Sequence, residues 1–324
     1  MAAIEMDYLH GQLQQRKRLL ETAVELTPQD ANLAALLEQV DSALNRFAAG
    51  TYGLCENCHD TVERERLLAD PLIRYCLDHL SKPERASLQR DLDLASDLQR
   101  GLLPPADLRV AGWETSYHYA PVGPVSGDYC DLYPSDGQLF FLLGDVSGKG
   151  VAASMRMTQL HALFRSLIGM GLCLGEIITH VNRFLCESAI AGQYATLVCG
   201  RAKPGGAVEL FNAGHLPVIV ARQGNVHLVE STGLPLGMFC DAVYTSSTLR
   251  LRNGDMLLLY TDGLSEARAG NEEYGVDRVK QLVGKQSSST AAALVSACIT
   301  DLRNFAGATP GLDDVTLLAI RHSG

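Results

Sequence analysis

No run of eighteen apolar residues occurs in the chain, so a hydrophobic membrane-spanning helix is not expected. The amino-terminal stretch MAAIEMDYLHGQLQQRKRLL lacks the apolar centre of a signal peptide and mixes acids into an amphipathic pattern. Positive charge is short as well. The 27 Lys and Arg residues face 37 Asp and Glu, a formal net charge of −10, whereas a general nucleic-acid binder must neutralise phosphates. An even cysteine complement is also missing: nine cysteines, scattered outside one cluster, do not make a disulfide framework. With no secretion signal they read as reduced thiols of a cytoplasmic protein. Internal repeats are absent, and no low-complexity tract exceeds SSST. What is present is an ordinary globular composition, 47% hydrophobic and 20% charged over 324 residues. That suffices for two domains, or for one large domain with an appendage.

The first fifty residues read as a helical hairpin. Leu33, Leu37, Val40, Leu44 and Phe47 recur at spacings of four and three, and Leu9, Leu13, Leu20 and Ala23 do much the same. Between them LTPQDAN offers Thr27 before Pro28 as helix-start chemistry, with Asp30 as a further cap. GTYG then breaks the pattern. After a short cysteine-rich segment, Leu88, Leu92, Ala95, Leu98 and Leu102 form a third stripe, ended by the prolines at 104 and 105. So short a stripe must dock on a neighbour or pair with a second copy, which makes it a linker helix able to form a homodimer. From about residue 108 apolar β-type runs alternate with glycine turns: QLFFLLGDV, YATLVCG, LPVIVA, DMLLLYTDG and DDVTLLAI. Two helical stretches sit together in the middle and one near the end. This grouping favours layered sheets with outer helices over a doubly wound parallel sheet. The expected class is α+β.

Cys55 and Cys58 make one knuckle, and Cys76 and His79 make a second one seventeen residues later. Thiolates and a neutral imidazole suit Zn²⁺, and two knuckles close a tetrahedron with no open position. A segment this small buries little apolar surface, so one structural Zn²⁺ would supply most of its folding free energy. His59, beside Cys58, is an alternative fourth donor, though a surface position suits it better. The string ALNRFAAGTYGLCENCHDTVERERLLADPLIRYCLDHL resembles the zinc finger of the DksA/TraR family, with His79 where that family usually has a fourth cysteine. The resemblance implies RNA polymerase as a partner, with Asp30 where some members carry acidic tip residues. Against a polymerase role stand the shortness of the hairpin and the ordinary use of Asp as a cap. Through Leu80 there are 7 Lys or Arg against 13 Asp or Glu, so direct nucleic-acid binding is not expected.

LGDVSGKGV, residues 143–151, has the small residues of a phosphate loop but neither the spacing nor the hydroxyl of GxxxxGK[ST]. It holds Asp145 at the end of an apolar run. Three other places put Asp at a strand-to-turn boundary: Asp128, Asp262, and the pair Asp313 and Asp314. One such Asp is usually a turn cap. Four brought together would repel one another unless cations neutralised them, and hard oxygen ligands select Mg²⁺ or Mn²⁺. Two such ions lower the pKa of a water and orient it for in-line attack on phosphorus.

These motifs, with DLASDLQRGLLPP, NAGHLPVIV and GLPLGMF in order, resemble the PPM (protein phosphatase 2C-like) serine/threonine phosphatases, specifically the SpoIIE/RsbU branch. The resemblance implies a four-layer αββα sandwich over residues 106–324, after a hairpin (1–50), a finger (51–82) and a linker helix (83–105). It implies two Mn²⁺ or Mg²⁺ held by Asp128, Asp145, Asp262 and Asp313 with the Val146 carbonyl, and Asp314 and Asp131 in lesser roles. Ser126 stands where many relatives have Gly, and Cys130 replaces an aromatic residue. Arg156 is expected at the surface or between domains, and His215 as a structural histidine rather than a general acid. Cys130, Cys173, Cys186, Cys199, Cys240 and Cys298 are expected as small core residues. The implied activity is hydrolysis of phosphoserine or phosphothreonine on a STAS-type anti-sigma-factor antagonist. Two other readings stand beside it: a DksA-like transcription regulator, and a zinc-based redox sensor controlling the phosphatase.

Overall fold

The computed structural model describes residues 3–26, 29–63, 66–67, 70–188, 193–307 and 313–324. The chain divides into two units, residues 1–90 and 91–324.

In the first unit, α1 (Ala3–Leu26) and α2 (Ala31–Ala48) pack through Leu9, Leu13, Leu20, Val40 and Ala43, as their spacing demands. The same cluster takes in Tyr52, Cys55, Val62, Leu67 and Cys76, so hairpin and finger share one core. Asp30 caps α2 by accepting from the backbone N–H of Asn32 (2.9 Å) and Leu33 (3.3 Å). Thr27 and Pro28, expected as the helix start, lie outside the described residues.

The boundary between the units falls within α3 (Lys82–Leu102), which stops just before the two prolines. Its buried side differs from the expected stripe. Leu88, Leu94 and Leu98 are exposed, whereas Leu92, Ala95 and Leu102 are half-buried and Gln99 is fully buried. A helix face is set by what it packs against, and here a polar side chain has partners inside.

Among its described residues the second unit holds two large antiparallel sheets and a two-stranded ribbon of β11 (Arg268–Ala269) and β12 (Glu272–Glu273). One has six strands in the order β1 (Asp107–Val110), β2 (Trp113–Ala120), β13 (Val315–His322), β10 (Met256–Tyr260), β7 (Val218–Arg222), β8 (Asn225–Val229). The other has five: β3 (Tyr129–Ser135), β4 (Gln138–Val146), β5 (Ala195–Ala202), β6 (Ala207–Ala213), β9 (Ser247–Arg250). Strand alternation builds the layers. On β4, Leu139, Phe141 and Leu143 meet Val218, Leu257 and Leu318 of the other sheet. Phe140 and Leu142 point the opposite way, toward α4 (Val151–Gly169) and α5 (Leu174–Glu187). Beyond the six-stranded sheet, Ile219, Leu258 and Ala319 pack on the later helices through Val279, Leu294 and Cys298. The result is helices, sheet, sheet, helices: the expected αββα order.

Not every expected core residue is buried. Cys130, Cys199 and Cys298 are, but Cys173 and Cys240 are exposed and Cys186 is half-buried. Arg156 departs in the other direction. It is 6% exposed, and its guanidinium donates to the Ser188 Oγ (2.9 Å) and carbonyl (3.2 Å) and to Gln159 Oε1 (3.1 Å).

Candidate functional site

Strand register explains how dispersed aspartates approach one another. In the five-stranded sheet Tyr129 pairs with Gly144, which sets Asp128, just before β3, level with Asp145 near the end of β4. In the six-stranded sheet Tyr260 pairs with Leu317, so the segment after β10, bearing Asp262, lies beside the segment before β13, bearing Asp313 and Asp314. Two short hydroxyl side chains join the sheets. The Oγ1 of Thr261 donates to Asp128 Oδ2 (3.0 Å), and that of Thr316 donates to the same oxygen.

Glycines let the four segments close. A Cβ on Gly127 would lie 2.9 Å from the Val146 carbonyl oxygen and 3.3 Å from Asp145 Oδ1. One on Gly263 would strike the Asp314 carbonyl oxygen at 2.0 Å. Asp145 and Asp262 line a cleft of about 310 Å³ together with Ser147, Tyr194, Thr196, Gly214, His215 and Glu266.

The electrostatics are those of crowded acids. Burial holds the Asp128 carboxyl well above the ordinary range; its hydrogen bond from Thr316 opposes this, and the charges of Asp145 and Asp314 add to it. Asp145 is pushed up to about 7 by burial and by the charges of Asp262, Asp313 and Asp314. Asp262 is raised by burial and by Asp313. Among the described residues Lys149 answers this charge, its Nζ donating to Asp313 Oδ2 at 3.0 Å.

Asp314 has a different environment. Its Oδ1 accepts from the Val122 N–H (2.7 Å) and its Oδ2 from the Ser126 hydroxyl (2.5 Å). Asp131 is separate from the group. It is fully buried on β3 and held by the Arg165 guanidinium at 2.7 and 2.6 Å. His215 uses both ring nitrogens. Its Nε2 donates to the Tyr260 carbonyl (3.0 Å), so Nδ1 accepts from the Thr196 hydroxyl (2.8 Å), and burial lowers its pKa to about 4.

Sequence reading missed the supports. The Gln99 carboxamide clamps Ser126 on both sides, Nε2 donating to its carbonyl (2.7 Å) and Oε1 accepting from its N–H (2.9 Å). The Ser126 hydroxyl in turn accepts from the Asp128 N–H at 2.9 Å while donating to Asp314. A helix residue is thereby tied to two acids through one serine. The only signal was Gln99 itself, a polar residue five positions before the prolines. Thr261 and Thr316 carried none beyond their place next to the aspartates.

In the finger, the donor atoms of Cys55, Cys58, Cys76 and His79 all lie within 4.8 Å of one another. The sulfurs of Cys58 and Cys76 are 3.7 Å apart, and His79 Nδ1 is 3.3 Å from the Cys76 sulfur. Burial raises the Cys55 thiol, but backbone N–H groups of Cys58, Cys76 and Asn57 outweigh it and hold it at about 6; the Asp60 N–H lowers the Cys58 thiol, but burial and the sulfurs of Cys55 and Cys76 push it up to about 12. His59 is exposed at φ 61 in the knuckle turn and takes no part. Among the described residues this is the one group of three or more such donors gathered so tightly; of the aspartates, Asp145 and Asp262 line the cleft.

The family described as Stage II sporulation protein E (SpoIIE) matches residues 135–323, and the prokaryotic DksA/TraR C4-type zinc finger matches residues 50–78. Phosphoserine phosphatase RsbP of Bacillus subtilis (strain 168) is 29% identical over 196 residues, 57% of this chain and 47% of that protein. Phosphoserine phosphatase RsbU of the same organism is 23% identical over 238 residues, 72% of this chain and 71% of its own. The chain spans less than half the length of the first curated relatives it matches, 41% and 47%. Among solved structures, the SiaA-PP2C domain of Pseudomonas aeruginosa superposes with a TM-score of 0.65 at 18% identity, covering 73% of this chain and 98% of that domain. At that identity the likeness concerns the fold.

Proposed function

The chain belongs to the SpoIIE family, and on that premise we propose that it is a metal-dependent phosphatase hydrolysing phosphoserine or phosphothreonine in a partner protein. The observation that carries this is the meeting of four aspartate segments at the ends of paired strands from two sheets. Asp128, Asp145, Asp262, Asp313 and the Val146 carbonyl would hold two Mn²⁺ or Mg²⁺, with Asp128 fixed by hydrogen bonds from Thr261 and Thr316. The donor set fits hard cations: all oxygen, crowded, and short of positive charge. Such cations supply Lewis acidity toward a water and toward the phosphoryl oxygens.

The chain's own residues do the rest. Asp314 and Ser126 fix the loop that presents Asp128. Lys149 sets positive charge beside Asp313. His215, with both nitrogens engaged, is a structural member of the cleft wall and not a general acid. Water attacks phosphorus directly, without a phosphoenzyme.

The relatives named phosphoserine phosphatases support a phosphoprotein substrate, and the branch resemblance points to a STAS-type anti-sigma-factor antagonist. The finger would carry one structural Zn²⁺ through Cys55, Cys58, Cys76 and His79. The exposed Leu88, Leu94 and Leu98 of α3 would pair with a second copy. RNA polymerase binding gains nothing here, since the Asp30 carboxylate is engaged in capping α2. No helix among the described residues is long and apolar enough to cross a membrane.

The test is hydrolysis of a phosphoserine protein with and without Mn²⁺. Asp145→Asn should lower the rate by at least about two orders of magnitude, the scale of lost metal activation of water. A variant within tenfold of wild type would overturn the reading.

A further inference from the structure

Two cysteines outside the finger meet where a loop lies on a helix. Cys186 is half-buried near the end of α5, and Cys240 is exposed in the segment that follows Leu236. That segment is fastened to the helix by Asn182, one turn before Cys186 on the same helical face. Asn182 Oδ1 accepts from the Gly237 N–H (2.8 Å), and its Nδ2 donates to the carbonyls of Phe239 (2.9 Å) and Cys240 (3.3 Å). Asn182 itself is 2% exposed, so these bonds are sheltered from water. They hold the Cys240 backbone against α5 within a turn of Cys186, near enough for the Cys240 sulfur to raise the Cys186 thiol.

We propose that Cys186 and Cys240 are a modification site, a dithiol that a peroxide oxidises reversibly to a disulfide. The Cys240 sulfur, open to solvent, attacks one peroxide oxygen; the O–O bond breaks, water leaves, and Cys240 becomes a sulfenic acid. The Cys186 sulfur then attacks the Cys240 sulfur, the S–O bond breaks, and a second water departs as the S–S bond forms. Two thiols together lose two electrons and two protons, and one hydrogen peroxide becomes two waters. The order of attack follows from the surroundings. Burial and the neighbouring sulfur push the Cys186 thiol up to about 11, a poor first nucleophile but a well-placed resolving one.

The bond would hold covalently what three hydrogen bonds now hold. The tethered segment begins at Leu236, which exchanges both backbone hydrogen bonds with Ala195 (2.7 and 2.9 Å), between the cleft residues Tyr194 and Thr196. The pair is distinct from the finger cysteines and does not depend on the phosphatase reading.

The experiment treats the full-length, zinc-loaded protein with hydrogen peroxide, alkylates what remains, and maps the peptides by mass. Wild type should lose two hydrogen masses, show the Cys186 and Cys240 peptides joined, and lose alkylation at both thiols by about tenfold. Dithiothreitol should reverse all three. In Cys186→Ser, Cys240 should instead be trapped by dimedone as the sulfenic acid; in Cys240→Ser, Cys186 should stay alkylatable. Oxidised wild type whose Cys240 reaches sulfenic or sulfinic acid without joining Cys186, or whose new bond maps to another pair, would overturn the proposal. The wild-type measurement decides the matter even if a serine variant folds poorly.

Discussion

Asp145 sits half-buried with three other carboxylates near it and an elevated pKa of about 7, so in metal-free protein its charge opposes folding. Asp145→Asn should therefore raise the melting temperature of the chelated protein. A relief of about 1 kcal/mol corresponds to roughly 2–4 °C at this size. Mn²⁺ should stabilise wild type and leave the variant nearly unmoved; calorimetry with and without the ion reads both effects. His215 gives a pH signature of opposite origin. Its folded pKa of about 4 lies below the ordinary histidine value because the buried ring is held neutral. The unfolded chain thus takes up a proton first as pH falls, and stability is lost between about pH 6.5 and 4. Across that window His215 accounts for a loss on the order of 3 kcal/mol. His215→Gln should flatten the acid limb of stability measured by urea unfolding, and an unchanged slope would contradict the assignment.

At the scale of elements, α3 shows both what a sequence discloses and what it hides. Its existence and its stop were legible, because apolar spacing and two prolines are local signals. Its orientation was not. Leu98 fitted the stripe yet is 66% exposed, and Gln99 is buried because Ser126, 27 residues on, offers a carbonyl and an N–H to satisfy it. No periodicity encodes such a partner. Gln99→Ala would leave both backbone groups buried and unpaired, at about 1–3 kcal/mol. We expect a lower melting temperature and a higher Mn²⁺ requirement, since the same serine positions Asp128 and Asp314. An unchanged Mn²⁺ titration would confine Gln99 to stability. The finger was legible almost entirely, since knuckle spacing is local and the ligands name themselves. Only the choice between His79 and His59 needed geometry. Zinc retention measured on His79→Ala and His59→Ala should fall only in the first, and a zinc chelator should unfold this segment as it removes the metal.

At the scale of the whole molecule, the layered class was readable from the grouping of strands and helices. The aspartates were readable because each closes or opens an apolar strand. What brings them together was not: it depends on which strands pair and in which register, and that is fixed by contacts between Phe141, Leu257 and Leu318 rather than by any segment alone. The cysteines show the same limit, since residue type predicted burial for Cys173 and Cys240 where placement outside the helices and strands decided otherwise. Removing residues 1–80 tests whether the finger governs the second unit. The expected outcome is altered turnover or metal dependence, because α3 runs on from the finger unit to the Ser126 clamp. The central claim is that Asp128, Asp145, Asp262 and Asp313 jointly grip hard divalent cations, and Mn²⁺ titration followed by paramagnetic resonance tests it most directly. Wild type should bind two Mn²⁺ per chain, with each single Asp→Asn variant losing at least one or binding about tenfold more weakly. Wild type that binds no Mn²⁺, or four variants that all bind like wild type, would contradict it.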